Sequence, residues 1–317
     1  MIQVDGVTKR YKDKVAVDDL SFEVKSGQVT GFLGPNGSGK STTMRMIMGL
    51  DSPDVGSARI HGRTYGRLPI PLREVGALLE AKAIHPGRSA YHHLWYLAQS
   101  NDIPKSRVDA VLDAVGLSDV ANKRVGKFSL GMGQRLGIAA ALLGDPGVLL
   151  FDEPINGLDP EGILWVRNLL KSLAAEGRTV FVSSHLMSEM ALTADLLVVI
   201  GRGRLISTGT VSDFIAQSTS QFVRVRSSRS GDLARLLWAE GVQVTDEDDG
   251  SLSVSGMSAT DIGELAGASA IVLHELSPQM ASLEEAFMEL TRDSVEFHGR
   301  SDSDRIAAGS PSHNSGK

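Results

Sequence analysis

The amino-acid sequence predicts an α/β fold for about the first 215 of its 317 residues, followed by a smaller α+β domain. Residues 28–43 read QVTGFLGPNGSGKSTT, in which an apolar strand runs into a glycine-rich turn and then into a helix. A second apolar run, at 148–151, ends at two adjacent carboxylates, Asp152 and Glu153. After residue 217 the pattern changes to short segments in the order β-α-β-β-α-β.

The remaining elements of the first part follow from apolar spacing. Strands are predicted at 2–4, 20–24, 28–33, 58–61, 75–79, 148–151 and 179–183, a hairpin at 195–206, and helices from residue 40 and at 89–99, 108–115, 134–143 and 163–175. The helices between about 80 and 145 read as an insert between the two strands that carry motifs.

The glycine-rich turn has the composition of a phosphate-binding loop. Residues 34–41 fit the pattern GxxxxGK[ST] without a mismatch. Glycines let the backbone curl and point successive N–H groups inward, and the helix start adds its positive end, so the turn forms a cradle for phosphates. Lys40 is placed to reach the β- and γ-phosphates, and the Ser41 hydroxyl to ligate Mg²⁺. The alternative is a turn that merely links a strand to a helix. The nucleotide-binding residues predicted here are Gly34, Pro35, Asn36, Gly37, Ser38, Gly39, Lys40, Ser41 and Thr42.

The carboxylates Asp152 and Glu153 stand where chemistry is expected in such a fold. Ligands of an open α/β sheet bind at the carboxyl ends of its strands. Asp152 is therefore predicted to hold the Mg²⁺ shell through water, and Glu153 to polarise the attacking water. An ordinary acidic strand-to-loop transition is the alternative, which the nearby phosphate loop makes unfavourable.

Two further motifs indicate a family. Residues 127–135 read KFSLGMGQR, with Ser129 and Gly131 at the positions of the signature LSGGQ, and His185 follows a strand in VSSHLMSEM. Over about residues 1–215 the sequence resembles the ATP-binding cassette (ABC) ATPases, and in particular bacterial multidrug and antibiotic-resistance exporter cassettes. Leu130 and Met132 depart from the signature. The resemblance implies an ABC-type P-loop NTPase core with an antiparallel β subdomain and an α-helical insert, and it implies ATP and Mg²⁺ as cofactors.

The resemblance also implies roles for individual residues. Tyr11 matches the aromatic residue that stacks on adenine, although a tyrosine packed at a strand end is the alternative. Ser129 and Gly131 would bind the γ-phosphate of ATP held by a different cassette, and His185 would hold the γ-phosphate in its own. An ordinary helix N-cap is the alternative at Ser129, and the two roles are compatible; a structural histidine is the alternative at His185. Two cassettes would then pair head to tail around two ATP molecules, with Asp159 communicating between the sites.

Residue Glu80 is the main departure from the family pattern. It follows the strand predicted at 75–79, where these cassettes normally carry a glutamine near the Mg²⁺ and the attacking water. A carboxylate oxygen is a good ligand for a hard cation, so Glu80 is predicted as a metal ligand together with Ser41 and Asp152. Repulsion from the neighbouring carboxylates could instead turn it away.

Composition limits the possible partners. The net charge of −6 does not suggest a nucleic-acid surface, so no nucleic acid is expected. The chain has no cysteine, which excludes disulfides and thiolate metal sites and suits a reducing compartment. The N-terminal residues lack the apolar core of a secretory signal, and no apolar run reaches the ~18–20 residues that span a bilayer.

A transporter role would therefore need an integral membrane permease as a separate subunit. The expected partners are this permease and a second copy of the chain or a paralogous cassette, at the cytoplasmic face of the cell membrane. Two alternatives stay open: a soluble ABC ATPase acting on ribosomes or nucleic acid, and a module that binds ATP for regulation. The sequence does not identify the exported substrate.

The C-terminal part carries no catalytic pattern. Residues 217–296 are predicted to form an α+β accessory domain whose element order fits a ferredoxin-like unit. Its last helix, in the stretch SLEEAFMEL from residue 282, resembles the end of many export-type cassettes. Residues 297–317 are polar and are predicted to be a disordered tail.

Overall fold

The computed structural model describes residues 1–80, 84–217, 222–279 and 282–291. The tail predicted at 297–317 lies outside these ranges. The strands are β1 Ile2–Tyr11, β2 Lys14–Val24, β3 Gln28–Leu33, β4 Val55–Ile60, β5 Val75–Leu78, β6 Val148–Asp152, β7 Thr179–Ser183, β8 Leu196–Gly201, β9 Arg204–Thr210, β10 Phe222–Ser227, β11 Gln243–Asp246, β12 Leu252–Ser255 and β13 Leu273–Gln279. The α-helices are α1 Lys40–Ile47, α2 Pro71–Glu74, α3 Ala90–Ser100, α4 Ser106–Ala114, α5 Leu130–Leu142, α6 Pro160–Ala175, α7 Met187–Thr193, α8 Val211–Gln217, α9 Ser230–Ala239, α10 Ala259–Ala268 and α11 Leu283–Thr291.

A six-stranded sheet forms the centre of the first unit, by which we mean β1 to β9 with α1 to α8. Its strand order is β5-β6-β7-β3-β8-β9, with all pairs parallel except β8 with β9. Its inner strands are continuous apolar runs because both faces are covered. Leu149 and Phe151 enter one buried cluster, while Val148 and Leu150 enter another.

The parallel strands bring the motif residues to one edge. The carboxyl ends of neighbouring parallel strands meet at the same edge of a sheet. β3 leads there into the glycine-rich turn and α1, β6 ends at Asp152, and β7 ends at Ser183, two residues before His185. The strand–turn–helix predicted from the sequence is thus confirmed in place.

A second sheet of three antiparallel strands, in the order β2-β1-β4, covers one side of this core. β1 and β2 are longer than predicted and form a hairpin through Lys12, whose φ is 52°. Phe22 of this sheet packs on the central sheet, with ring centroids 5.4 Å from Phe32 and 5.6 Å from Phe181.

Helices α3, α4 and α5 form the helical insert. α5 begins at Leu130 and not at the predicted residue 134, because the Ser129 hydroxyl caps it by accepting a hydrogen bond from the Met132 N–H at 3.2 Å. α5 lies tightly against β5: a Cβ placed on Gly76 would stand 1.9 Å from the Ala141 carbonyl oxygen. The C-terminal half of α5 is therefore fixed to the edge strand of the central sheet, and Ser129 lies at the opposite end of the helix.

The second unit, residues 222–279, has the predicted element order. Its antiparallel sheet runs β11-β12-β10-β13, and α9 and α10 pack on one face of it. Val225 and Leu237 are both fully buried in the hydrophobic cluster between this sheet and the two helices.

Among the helices of the described ranges, none combines the length and apolar composition needed to cross a membrane.

Helix α11 packs against the first unit, whereas the sequence analysis grouped it with the second. Its buried residues Leu283 and Phe287 belong to the large cluster of the first unit, together with Phe214 of α8. The helix is amphipathic, so it can cover any apolar surface within reach of the chain, and that surface is on α7 and α8.

Candidate functional site

The glycine-rich turn between β3 and α1 is closely enclosed. A Cβ on Gly34 would lie 2.4 Å from the Ser38 Oγ and 2.6 Å from the Ile200 carbonyl oxygen. Gly39 has a φ of 104°, and a Cβ there would lie 2.6 Å from the Ala16 carbonyl oxygen. Side chains are therefore excluded at both positions, as a loop that presents its backbone to a ligand requires.

Lys40 lies beneath this turn. Its ammonium donates to the carbonyl oxygens of Gly34 at 2.6 Å and Pro35 at 3.2 Å. Burial lowers the pKa of Lys40, while the nearby carboxylates of Glu153 and Asp152 act in the opposite direction. A buried cation facing two carboxylates and a cradle of backbone N–H groups is suited to polyphosphate.

The two carboxylates are held by β7 and the residues after it. The Ser183 hydroxyl donates to Asp152, and the Glu153 N–H donates to the Ser183 carbonyl oxygen at 3.2 Å. Glu153 has a φ of 51°, a left-handed conformation that non-glycine residues rarely adopt. Its Oε2 is 2.8 Å from His185 Nδ1 and also accepts the His185 N–H at 3.3 Å. The predicted catalytic pair is thus in direct contact.

A cavity of about 470 Å³ brings most of the predicted nucleotide-binding residues together. Its lining consists of Tyr11, Lys14, Ala16, Asn36, Gly37, Ser38, Gly39, Lys40, Ser41, Thr42, Leu79, Asp152 and Glu153. Gly34 and Pro35 lie just outside, where their carbonyl groups hold Lys40. The exposed Glu80 follows Leu79 but is not part of this lining.

Tyr11 stands at one end of the cavity as the last residue of β1. Its hydroxyl donates to Asp51 at 2.8 Å, and Asp51 also accepts from the Arg45 Nε at 2.7 Å. The side chain is 45% exposed. Both interpretations of Tyr11 therefore fit: it ends a strand, and it presents an anchored, accessible ring to the cavity.

Ser129 and Gly131 do not line the cavity beside the phosphate loop. Ser129 lines a separate cavity of about 310 Å³, together with Ile84, Pro86, Phe128 and other residues of the insert. Gly131 sits in the first turn of α5, near Leu158. The chain therefore does not bring its signature residues to its own phosphate loop.

Sequence reasoning missed two residues of the site. The Ser183 hydroxyl donates to the Asp152 carboxylate and accepts from the Glu153 N–H at 3.1 Å, and Gln134 donates from its Nε2 to the Glu153 carbonyl oxygen at 3.0 Å. Gln134 is only 4% exposed, which is unusual for a glutamine. Its place three residues after Gly131, on the predicted helix, was the available signal.

In the described ranges, no group of three or more His, Cys, Asp or Glu side chains could hold a metal ion. Ser41 and Asp152 do line the same cavity, which places a hydroxyl and a carboxylate beside the phosphate loop.

Comparison with known proteins agrees with this geometry. The family profile described as ABC transporter matches residues 17–156, and a domain of unknown function (DUF8746) matches residues 221–284. An uncharacterized ABC transporter ATP-binding protein of Bacillus subtilis (strain 168), YhcH, is 36% identical over 301 residues, covering 93% of this chain and 97% of its own. The bacitracin transport ATP-binding protein BcrA of Bacillus licheniformis is 43% identical over 209 residues, covering 65% and 68%.

A solved structure shows a related cassette as a dimer. It is a post-hydrolysis state bound to ADP and Pi, 26% identical, with a TM-score of 0.61 over 66% of this chain and 98% of that one. The predicted fold class, an ABC-type P-loop NTPase core, is confirmed by this match. On the evidence of its fold, its site and its relatives, this chain belongs to the ABC transporter ATP-binding proteins.

Proposed function

We propose that this chain hydrolyses ATP to power export of a substrate through a separate integral membrane permease, working as a head-to-tail dimer with a second copy or a paralogous cassette. One observation carries the proposal: the phosphate loop and Ser129 line two different cavities of one chain. Each ATP site would then be completed by the Ser129 and Gly131 of the other chain. The protein would lie at the cytoplasmic face of the membrane, held there by the permease.

Contacts within one chain support separate roles for individual residues in ATP hydrolysis. Lys40 and the backbone N–H groups of the loop would bind the phosphates. The Glu153 carboxylate would accept a proton from the attacking water, oriented by its 2.8 Å contact with His185 Nδ1. His185 would in turn reach the γ-phosphate, and Tyr11 would stack on the adenine ring.

Mg²⁺ fits the same cavity. The donors available are the hydroxyl of Ser41 and the carboxylate of Asp152, and hard oxygen ligands of this kind, completed by substrate phosphates, suit this ion. Glu80 remains a proposed third ligand. When bound, the ion would neutralise charge on the phosphates.

Substitution of Glu153 by glutamine tests the proposal. The variant keeps the shape of the side chain but removes the base, so hydrolysis should fall by about 100- to 10,000-fold. ATP binding should persist, and a dimer should accumulate with ATP on a sizing column. Glu264→Gln, in the exposed part of α10, is the matched control and should behave as wild type. A Glu153→Gln protein that stays monomeric and fully active would refute the scheme.

The membrane partner needs its own experiment. Tagged protein purified from detergent-solubilised membranes of its host should carry a multi-span protein in stoichiometric amount. Recovery only from the soluble fraction, together with ribosomes or nucleic acid, would favour the alternative class of ABC ATPase.

A further inference from the structure

The contact between Gln134 and Glu153 joins the helical insert to the hydrolytic centre. Gln134 lies in the second turn of α5 and is nearly inaccessible to solvent. Its Nε2 donates to the carbonyl oxygen of Glu153 at 3.0 Å. A buried amide with no hydrogen-bond partner is costly, so this bond strongly favours one arrangement of α5 relative to Glu153.

The hydrogen bonds to the carbonyl of Glu153 help to fix the orientation of its peptide. Its backbone is in the left-handed region, with a φ of 51°, which needs support from the surroundings. The N–H of Glu153 is fixed by Ser183 of β7, and its carbonyl accepts from Gln134 of α5 and from the N–H of Asn156 at 3.2 Å. The orientation of this peptide decides where the carboxylate points, because the side chain leaves from the same Cα.

Ser129 caps the start of the same helix, at the end where Gln134 lies. Gln134 follows Ser129 by five positions, roughly 7.5 Å along a helix. Between β5 and α5 the packing leaves little freedom, since a Cβ on Gly137 would lie 2.5 Å from the Leu78 Cδ1. A displacement of the Ser129 end would therefore move Gln134 with it as part of one rigid element.

We propose that Gln134 is a positioning residue that couples Ser129 of a chain to Glu153 of the same chain. The inference rests on the function proposed above, in which Ser129 contacts the nucleotide of the opposite chain. Engagement of Ser129 by that nucleotide sets the position of α5, and the hydrogen bond from Gln134 transmits this position to the Glu153 peptide. Each chain thereby adjusts its own hydrolytic carboxylate to the occupancy of the other site.

The test uses Gln134→Met, which keeps the length of the side chain and removes the donor. We expect the Kd for ATP to stay within about twofold, since Gln134 does not line the cavity, and kcat to fall about tenfold to a hundredfold. Gln134→Leu, which also removes the donor, should give the same result, so that a folding defect of one variant does not decide the matter. Ile138→Val, a buried change in the same helix, controls for loss of packing and should keep its kcat.

The decisive measurement is the same substitution in a Glu153→Gln background. If Gln134 acts through Glu153, its loss there should leave the residual rate unchanged, because residues that act as a unit are not additive. An equal fold-loss in both backgrounds, or a Gln134→Met chain with wild-type kcat, would overturn the inference. The ATP-driven dimer of Glu153→Gln is scored separately: its absence would refute the proposed function, whereas the comparison of kcat values would still decide the positioning role.

Discussion

The first and second units place their charged groups differently. In the described ranges, Lys40 is the one charged residue that is buried, and it lies at the phosphate edge of the first unit. Close to it, the Ser38 hydroxyl is buried without a hydrogen-bond partner among the described residues. In the second unit the ion pair of Arg226 with Asp249, at 2.8 Å, is exposed. Among the described residues, buried polar atoms without a hydrogen-bond partner occur in both units, with Arg224 Nε in the second, so the contrast rests on the buried charge, which costs stability and is kept where function requires it. The contrast assigns the chemistry to the first unit.

The largest expected effect comes from a test of whether each ATP site is formed by the first units of two chains. Lys40→Ala removes the phosphate ligand, and Ser129→Arg places a bulky cation on the surface that would meet the other chain. Each variant alone should lose nearly all ATP hydrolysis. A one-to-one mixture should recover at most about a quarter of the wild-type rate, because half of the random dimers contain one intact site of two and that site lies in the chain whose own Ser129 is replaced.

The control for this mixture is Ser129→Arg combined with Glu153→Gln, which should give no recovery with Lys40→Ala. Full activity of the Ser129→Arg chain by itself would mean that the site is complete within one chain. It would then remove the reason to propose a dimer.

A second test asks which unit α11 stabilises. Phe287 of α11 is buried in the cluster of the first unit, so Phe287→Ala should lower the free energy of unfolding of that unit by about 3–5 kcal/mol. Leu237→Ala, in α9, should destabilise the second unit by about 2–5 kcal/mol and leave hydrolysis unchanged. Calorimetry with and without ATP separates the two, because only unfolding of the unit that binds ATP shifts with ligand. The assignment of Leu237 to the second unit would be contradicted if Leu237→Ala destabilised the unfolding transition that ATP shifts.

The sequence predicted what depends on neighbours along the chain. The turn from Gly34 to Lys40 and the position of Asp152 and Glu153 at the end of β6 were predicted correctly, because local glycine chemistry and a strand end determine them. The predicted start of α5 at residue 134 was four residues too late, although Ser129 was expected to open this helix, which it caps. The bond from Gln134 to Glu153 was missed because it joins positions that only the tertiary fold brings together.

The packing of α11 against the first unit was not predicted, for a related reason. Its sequence is amphipathic and follows directly after the second unit, so grouping it there was the natural interpretation. Which apolar surface an amphipathic helix covers is decided by packing and not by periodicity. The order of motifs along the chain does not tell which cavity each motif lines. The separation of Ser129 from the phosphate loop was therefore expected only from the family resemblance.

The smallest expected effect concerns pH and the second unit. Hydrogen bonds from the side chain and backbone of Ser251 hold the pKa of Asp249 well below its usual value of 3.8, with a further contribution from Arg224. The folded state therefore binds fewer protons here than the unfolded state, so Asp249 contributes stability above pH 3.8 that is lost as the pH falls further.

Asp249→Asn should accordingly be slightly less stable than wild type near neutral pH, and the difference should shrink once the pH drops below 3.8. Hydrogen exchange of amides in β10 and β12 reports this unit separately from the first. Asp248→Asn removes a neighbouring exposed carboxylate and serves as the control for the loss of one negative charge. A constant difference across this pH range would show that Asp249 acts through the shape of its turn. An effect of Asp249→Asn on ATP hydrolysis would break the contrast between the units, because it would connect an exposed ion pair of the second unit to the buried charge of the first.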